Sequence, residues 1–468
     1  MKIKYCLLII SALFLGGCSL SPKIQDFSYE ASTDFTQSDN VTINDEWWKA
    51  YNDETLNIFV DEALKNNKDL QIAMLNIESA RATLTLRDSD KYPSLSAQAG
   101  ATRTQTSDEA YTSRGSKVTY NDFSLSAVLS YEVDLWGRIS SLSKSARASL
   151  FATKASKDTV RLSLISSVVD AYFNIVSLNE QLNIVNETVA SREESVNLTK
   201  VRYEAGAVDE SILSGQQSLL SQAKITKDSI EQSLSLASTS LGILLGRSPS
   251  ELMAAKDIKL SKLPNDIVVP DNIPSSIIEN RPDIEASYQQ LISSNELIGV
   301  NKAAYFPTLS LSALFGFQSD DISNLFNSGA KAWNLGGNLV APLINFGKTR
   351  SNVELAEIAK NIAVIQYEQS VTTAFSEVYN ALNSRNILSR SLQNSIEFEG
   401  HIQKTVDLTN KQYDAGYVDY LSVLDAKRTL LSAQLSTIQT KQQLLSSGVS
   451  LFKALGGGWD KSQYRDNN

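Results

Sequence analysis

The chain has 468 residues, ample for a large or an elongated core, and carries 52 acidic against 43 basic side chains, for a net charge of -9. No basic stripe interleaved with aromatic residues runs through it, which excludes a nucleic-acid partner. Two cysteines and one histidine leave no inventory for a zinc site or a catalytic triad, so the chain does not read as an enzyme.

Lys2 and Lys4 precede an apolar run from Tyr5 to Leu15 and then small residues, the layout of a secretory signal over residues 1–17. Leu15-Gly16-Gly17-Cys18 resembles the bacterial lipoprotein box, which implies a lipidated Cys18 as the first mature residue; the other reading is an ordinary signal with an incidental cysteine. Cys6 leaves with the signal, so no disulfide forms within one exported chain and stability has to come from packing and assembly. Ser19, rather than Asp, after the lipid site implies the outer membrane by the same resemblance. No uninterrupted run of eighteen apolar residues follows, so a transmembrane helix is not expected and any span has to be a closed barrel. In the N-terminal segment 18–52, the Trp47-Trp48 pair reads as an anchor that packs this segment onto the rest.

The chain then repeats itself. Asn67-Lys68-Asp69-Leu70 through Tyr92-Pro93-Ser94-Leu95-Ser96 aligns with Arg281-Pro282-Asp283-Ile284 through Phe306-Pro307-Thr308-Leu309-Ser310 at an offset of 214. From Trp136-Gly137-Arg138 against Phe346-Gly347-Lys348 to Leu245-Gly246 against Leu455-Gly456 the offset is 210. A shared offset over this length marks a tandem duplication. The first repeat covers 53–250, the connector 251–275, the second repeat 276–458 and a tail 459–468, with Pro249, Pro264, Pro270 and Pro274 marking the loop-rich stretch between copies.

In each repeat a helix comes first, with apolar residues at Leu70, Ala73, Ile77, Ala80 and Leu84, and Pro93 stops it. The period then changes to two, predicting a hairpin over about 94–135 through Leu95, Ala97, Ala99 and Ala101, then Phe123, Leu125, Ala127, Leu129, Tyr131 and Val133. Its counterpart at about 308–345 runs through Leu309, Leu311, Ala313, Phe315 and Phe317, then Trp333, Leu335, Gly337, Leu339, Ala341 and Leu343. Such strands suit either a lipid-facing barrel wall or a half-buried soluble hairpin. The 68 residues from Arg138 to Ala205 hold neither Gly nor Pro; as one helix they span roughly 100 Å. A second rod covers 348–415, interrupted only by Gly400. Leu162, Ile165, Val169, Tyr172, Val176 and Leu182 form one apolar stripe, as a coiled-coil wall or a structural rod requires. Gly206 and Gly416 close the rods, and Asp209 and Asp419 offer caps for returning helices at 209–245 and 419–455. Gly206, Ala207, Val208 and Asp209, with Gly416, Tyr417, Val418 and Asp419, are therefore the hairpin tips, expected at the far end from the strands.

Four strands have two open edges, which hydrocarbon does not tolerate, so several chains are expected to pool their strands. At this point Trp47-Trp48 with Tyr51, Asp53 and Leu56, Asn67-x-Asp69-Leu70, Tyr92-Pro93, Asp134-Leu135-Trp136-Gly137-Arg138, Pro274-Ser275 before Arg281-Pro282-Asp283-Ile284, Phe306-Pro307 and Leu424-Asp425-Ala426 come together in order. Together they resemble the TolC-like outer membrane factors, in particular the lipid-anchored branch that serves multidrug efflux. The resemblance implies an α+β membrane protein: a duplicated unit forming a long α-helical coiled-coil periplasmic tunnel, with four β-strands per chain contributing to a shared trimeric transmembrane β-barrel. It also implies a periplasmic adaptor protein and an inner-membrane RND-type (resistance-nodulation-division) transporter as partners, and no cofactor beyond the lipid on Cys18. The tips are then the adaptor-docking surface, Asp425 resembles an inward-facing acidic ring that gates the pore, and Tyr413 resembles a tyrosine that ties the closed end. Ser422 stands in place of a second acid and Val418 in place of a basic residue, so the resemblance does not extend to a two-ring, arginine-tied lock. The expected function is a passive exit duct for drugs or other small molecules; a non-conducting envelope-bridging lipoprotein and a duct for protein secretion are the alternatives. His401 reads as a surface imidazole on the second rod.

Overall fold

The computed structural model describes residues 20–24, 44–107, 118–253, 262–267 and 280–461. The signal segment, Cys18, most of the connector and the end of the tail lie outside the described residues.

Repeat one runs α1 (Glu54–Asn66), α2 (Lys68–Ser89), β1 (Ser94–Gln105), β2 (Thr119–Val133), α3 (Arg138–Glu204) and α4 (Glu210–Leu244). Repeat two runs α5 (Pro282–Ala303), β3 (Thr308–Ser319), β4 (Lys331–Val340), α6 (Lys348–Asp414) and α7 (Tyr420–Ala454). The duplication is kept residue for residue in the helices: α2 and α5 have 22 residues each, α3 and α6 have 67, and α4 and α7 have 35. At the end of α4, Gly246 adopts φ +70 and leaves no room for a side chain, since a Cβ there would lie 2.3 Å from the Asn66 carbonyl oxygen. Gly456 adopts φ +81 against the Asn280 carbonyl in the same way, so both repeats close on one glycine-dependent turn.

The chain divides into two compact units, each drawing on both repeats. One holds 76–153 and 286–367, with the described N-terminal residues. Its four strands form one antiparallel sheet in the order β1-β2-β3-β4, and the β2–β3 pairing, from Phe123↔Ser319 to Val133↔Leu309, joins the repeats. The alternation in the second hairpin was expected to reach Ala341 and Leu343, but β4 stops at Val340. There β3 has reached its first residue, Thr308, so nothing opposes residue 341 within the sheet, and Pro342 lacks an N–H to donate.

The other unit holds 29–75, 154–285 and 368–468. Its core gathers Trp47, Trp48, Leu56 and Val60 against Ile165, Val169, Tyr172, Phe173, Leu245 and Val449. Trp47 stacks on Phe452 at 4.9 Å, so the tryptophan pair anchors this segment. Asp53 caps α1 by accepting from the Thr55 and Leu56 amides, and its second oxygen accepts from the Tyr172 hydroxyl at 2.6 Å. Of the predicted stripe, Ile165, Val169, Tyr172 and Val176 are fully buried. One eighteen-residue window of α3 reaches a mean hydropathy of 1.3, apolar enough by length and composition to cross a membrane. The expectation drawn from uninterrupted runs thus missed this window; 56% of it is buried inside the chain, as the core packing of α3 requires.

Candidate functional site

The sheet has two chemically opposite faces. Because residues alternate sides along a strand, the register puts Leu95, Leu129, Ala313 and Leu335 in one row and Ala97, Ala127, Phe315 and Trp333 in the next. This apolar face lies open: Leu95 is 73% exposed, Phe315 62%, Trp333 72% and Leu335 73%. The other face carries Ser94, Ser96, Gln98, Ser124, Ser126, Ser130, Ser310, Ser312 and Asn334. There Ser94 and Ser130 share a hydroxyl contact of 2.7 Å, and Gln318 donates to Asp122 at 3.0 Å. β1 and β4 are the two edges.

Beside the sheet, the first described residues are held on α5. The Ser21 hydroxyl donates to Glu296 at 2.9 Å, and Asn295 donates to the Pro22 carbonyl at 2.7 Å. Gly299 makes the seat, because a Cβ there would lie 2.3 Å from the Ser21 oxygen. Nothing in the local pattern of α5 announces this role, which depends on a segment far away in the chain.

At the tips both rods end in the predicted manner. Gly206 has φ +73 and Gly416 φ +78, the amides of Gly206 and Ala207 bond back to Tyr203 and Arg202, and those of Gly416 and Tyr417 to Tyr413 and Gln412. Tyr417 is 83% exposed, whereas Val208 and Val418 are half-buried. The two aspartates differ. Asp419 caps α7, accepting from the Ser422 amide at 3.0 Å and hydroxyl at 2.7 Å, and the hydroxyl and then the amide hold its carboxyl below the usual carboxylate range. Asp209 occupies the cap position of α4 without a side-chain bond, contrary to expectation. Ile212 stands where Ser422 does and offers no hydroxyl, and its amide bonds the Asp209 backbone carbonyl at 3.1 Å.

Tyr413 meets Tyr420, with ring centroids 4.8 Å apart, and Gln216 of α4 donates to the Tyr420 hydroxyl. Burial, then Tyr413, pushes that hydroxyl's pKa up. One turn on, Leu424 packs over Gly215 of α4, whose missing side chain gives it room. Asp425 is not joined to Tyr413; it lies 58% exposed and pairs with Arg428 at 3.2 Å. Near Tyr420 the structure brings in Arg192, and beside Arg192 lies Lys427, two cations that the sequence pattern did not single out. Arg192 is 7% exposed, and its Nε has no hydrogen-bond partner among the described residues. Burial, then Arg192, lowers the pKa of Lys427. His401 is exposed on α6.

Residues 59–247 and 273–457 each match the family model described as "Outer membrane efflux protein". The chain is 33% identical over 474 residues to the solvent efflux pump outer membrane protein SrpC of Pseudomonas putida, covering 99% of this chain and 100% of that protein. It is 32% identical over 470 residues to the probable outer membrane lipoprotein SilC of Salmonella typhimurium, covering 97% and 99%. Among solved structures, the Campylobacter jejuni CmeC outer membrane channel superposes with a TM-score of 0.91 at 31% identity, over 95% of this chain and 96% of that one.

Proposed function

The chain belongs to the outer membrane efflux protein family, and from that premise we propose that it is the outer-membrane exit duct of a tripartite efflux pump, passing drugs or other small molecules delivered by a periplasmic adaptor and an RND-type inner-membrane transporter. The observation that carries this reading is the four-stranded sheet, apolar and open on one face, polar on the other, and unpaired at both edges. A face of that kind belongs in hydrocarbon, and hydrocarbon requires the edges to be closed. Three copies pooling their strands would give a twelve-stranded barrel with the polar face inward, and the helices would line a periplasmic tunnel.

The remaining assignments follow from this duct. Lipid on Cys18 anchors the chain to the outer membrane; Ser21, three residues on, is seated on the helix that leads into β3, and three residues reach about 10 Å. Two similar tips in each of three chains present six, so an adaptor ring can grip Gly206, Ala207, Val208 and Asp209 together with Gly416, Tyr417, Val418 and Asp419. Asp425 supplies the gate, three carboxylates around one bore that attract cations and repel one another, and Tyr413 with Tyr420 steadies the helix end that carries it.

Planar-bilayer conductance tests the duct. The purified protein is expected to conduct weakly, and Asp425→Ala to conduct several-fold more. Silence from the parent and the variant alike would favour the envelope-bridging scaffold instead. A drug-susceptibility panel on a deletion strain would then identify the cargo.

A further inference from the structure

Near the tips, α3, α4 and α7 contribute to one group of polar side chains. Arg192 of α3 is 7% exposed and Gln216 of α4 is 2% exposed, while Tyr420 and Lys427 of α7 are half-buried. Arg192 lies near Tyr420, and Lys427 lies beside Arg192. The Arg192 guanidinium makes no hydrogen bond or ion pair among the described residues, and its Nε is buried without an acceptor. A guanidinium does not shed its proton in a protein, so burial leaves a fixed positive charge that has to be met.

No carboxylate among the described residues meets it. Glu193, next along α3, pairs with Lys224 of α4 at 2.8 Å, and Asp425 pairs with Arg428 at 3.2 Å. Lys427 has no ion pair among the described residues either; burial, and then the Arg192 charge, lowers its pKa. Tyr420 adds a donor, because its hydroxyl accepts from Gln216 and so keeps its own proton to give. A guanidinium, an ammonium and a phenol O–H thus lie together with protons to donate and no acceptor.

The duplication shows that helix packing does not ask for these cations. Adding 210 carries Arg192 to Ile402, and subtracting 210 carries Lys427 to Gln217. Ile402 is half-buried on α6. An isoleucine therefore serves at the matching place in the second rod. The cation pair belongs to the end of the first rod alone, once per chain.

We propose that Arg192, Lys427 and Tyr420 form a binding site for one small inorganic anion of the size and charge of chloride. The anion accepts from the Arg192 Nε–H, the Lys427 ammonium and the Tyr420 hydroxyl. It turns the repulsion between a cation on α3 and a cation on α7 into a bridge between the two helices. A carboxylate from a neighbouring copy is a poorer occupant, since 7% exposure leaves Arg192 little surface to offer another chain. Binding itself does not depend on the duct. Its consequence deepens the proposed gate and rests on that reading: α7 also carries Asp425, so the bound anion ties the gate helix to the first rod.

Bromide, which can be located by its anomalous scattering, is the probe. In crystals of the full-length protein grown with sodium bromide, one bromide per chain is expected within hydrogen-bond reach of Arg192 Nε and Lys427 Nζ. In detergent solution, replacing sodium gluconate by sodium bromide at equal ionic strength is expected to raise the parent's melting midpoint several degrees more than that of Arg192→Ile, which installs the residue the second rod uses. Lys427→Met is expected to lose the same increment and keeps the test alive should Arg192→Ile fail to fold. Lys224→Met, which removes a cation already paired with Glu193, is expected to follow the parent. No bromide between Arg192 and Lys427, or an increment undiminished in both site variants, would mean an adventitious ion only and overturn the site. Neither readout needs current through the channel, so silent bilayers would sink the duct and leave the anion site standing.

Discussion

Asp170 of α3 has one carboxylate oxygen buried without a hydrogen-bond partner among the described residues. Burial pushes its pKa from an ordinary 3.8 up to about 6, against the opposing effects of a Ser446 hydrogen bond and Lys453. The fold therefore favours the protonated acid, and the stability this contributes is full below pH ~4 and lost as the pH rises through about 6. Asp170→Asn keeps the shape without the charge. It is expected to match the parent near pH 4 and to exceed it at pH 7.5 by up to about 3 kcal/mol per chain, read from denaturation midpoints. Residue roles of this kind were unevenly legible. The Trp47-Trp48 anchor declares itself by composition. Gly299 and Arg192 do not, because what makes one a seat and the other a buried cation is a partner segment distant in the chain.

At the scale of elements, the two tips separate a pattern from its use. Asp209 and Asp419 stand at matching positions, yet only Asp419 caps its helix through the side chain. Asp419→Ala is expected to speed hydrogen exchange at the Ser422 amide, and so is lowering the pH through the depressed pKa of this carboxyl, since the cap is present above the ordinary carboxylate value and lost below the lowered one. Asp209→Ala is expected to leave the Ile212 amide unchanged, because that amide bonds a backbone carbonyl. Equal protection changes at both tips would contradict this difference. The helices and strands themselves were legible from period and punctuation: α3 from the lack of Gly and Pro, α6 from a run broken only by Gly400, both from their closing glycines, and the strands from strict alternation. The end of β4 was not, because alternation continues to Leu343 while the opposing strand begins at Thr308.

For the whole molecule, the junction of β2 with β3 is the decisive contact, since it joins the two repeats in one sheet. Gly316 lies in it so tightly that a Cβ would sit 2.2 Å from the Leu125 carbonyl oxygen and 2.6 Å from the Ser126 Cα. Gly316→Val is expected to cost at least about 1–3 kcal/mol of overpacking and to deplete assembled protein in the outer membrane. Gly329→Ala, with nothing within 4 Å, is the neutral control, read by the yield of heat-resistant oligomer. The duplication, the lengths of the helices and the two-faced strands were all settled by residue order, because periodicity and glycine or proline placement act over a few residues at a time. Which of two matching surfaces is covered, which aspartate caps and why the apolar window of α3 is a core helix were decided by the fold alone. Repeats that match in layout and length meet unlike surroundings, since the sheet joins them along one seam and leaves the counterpart open.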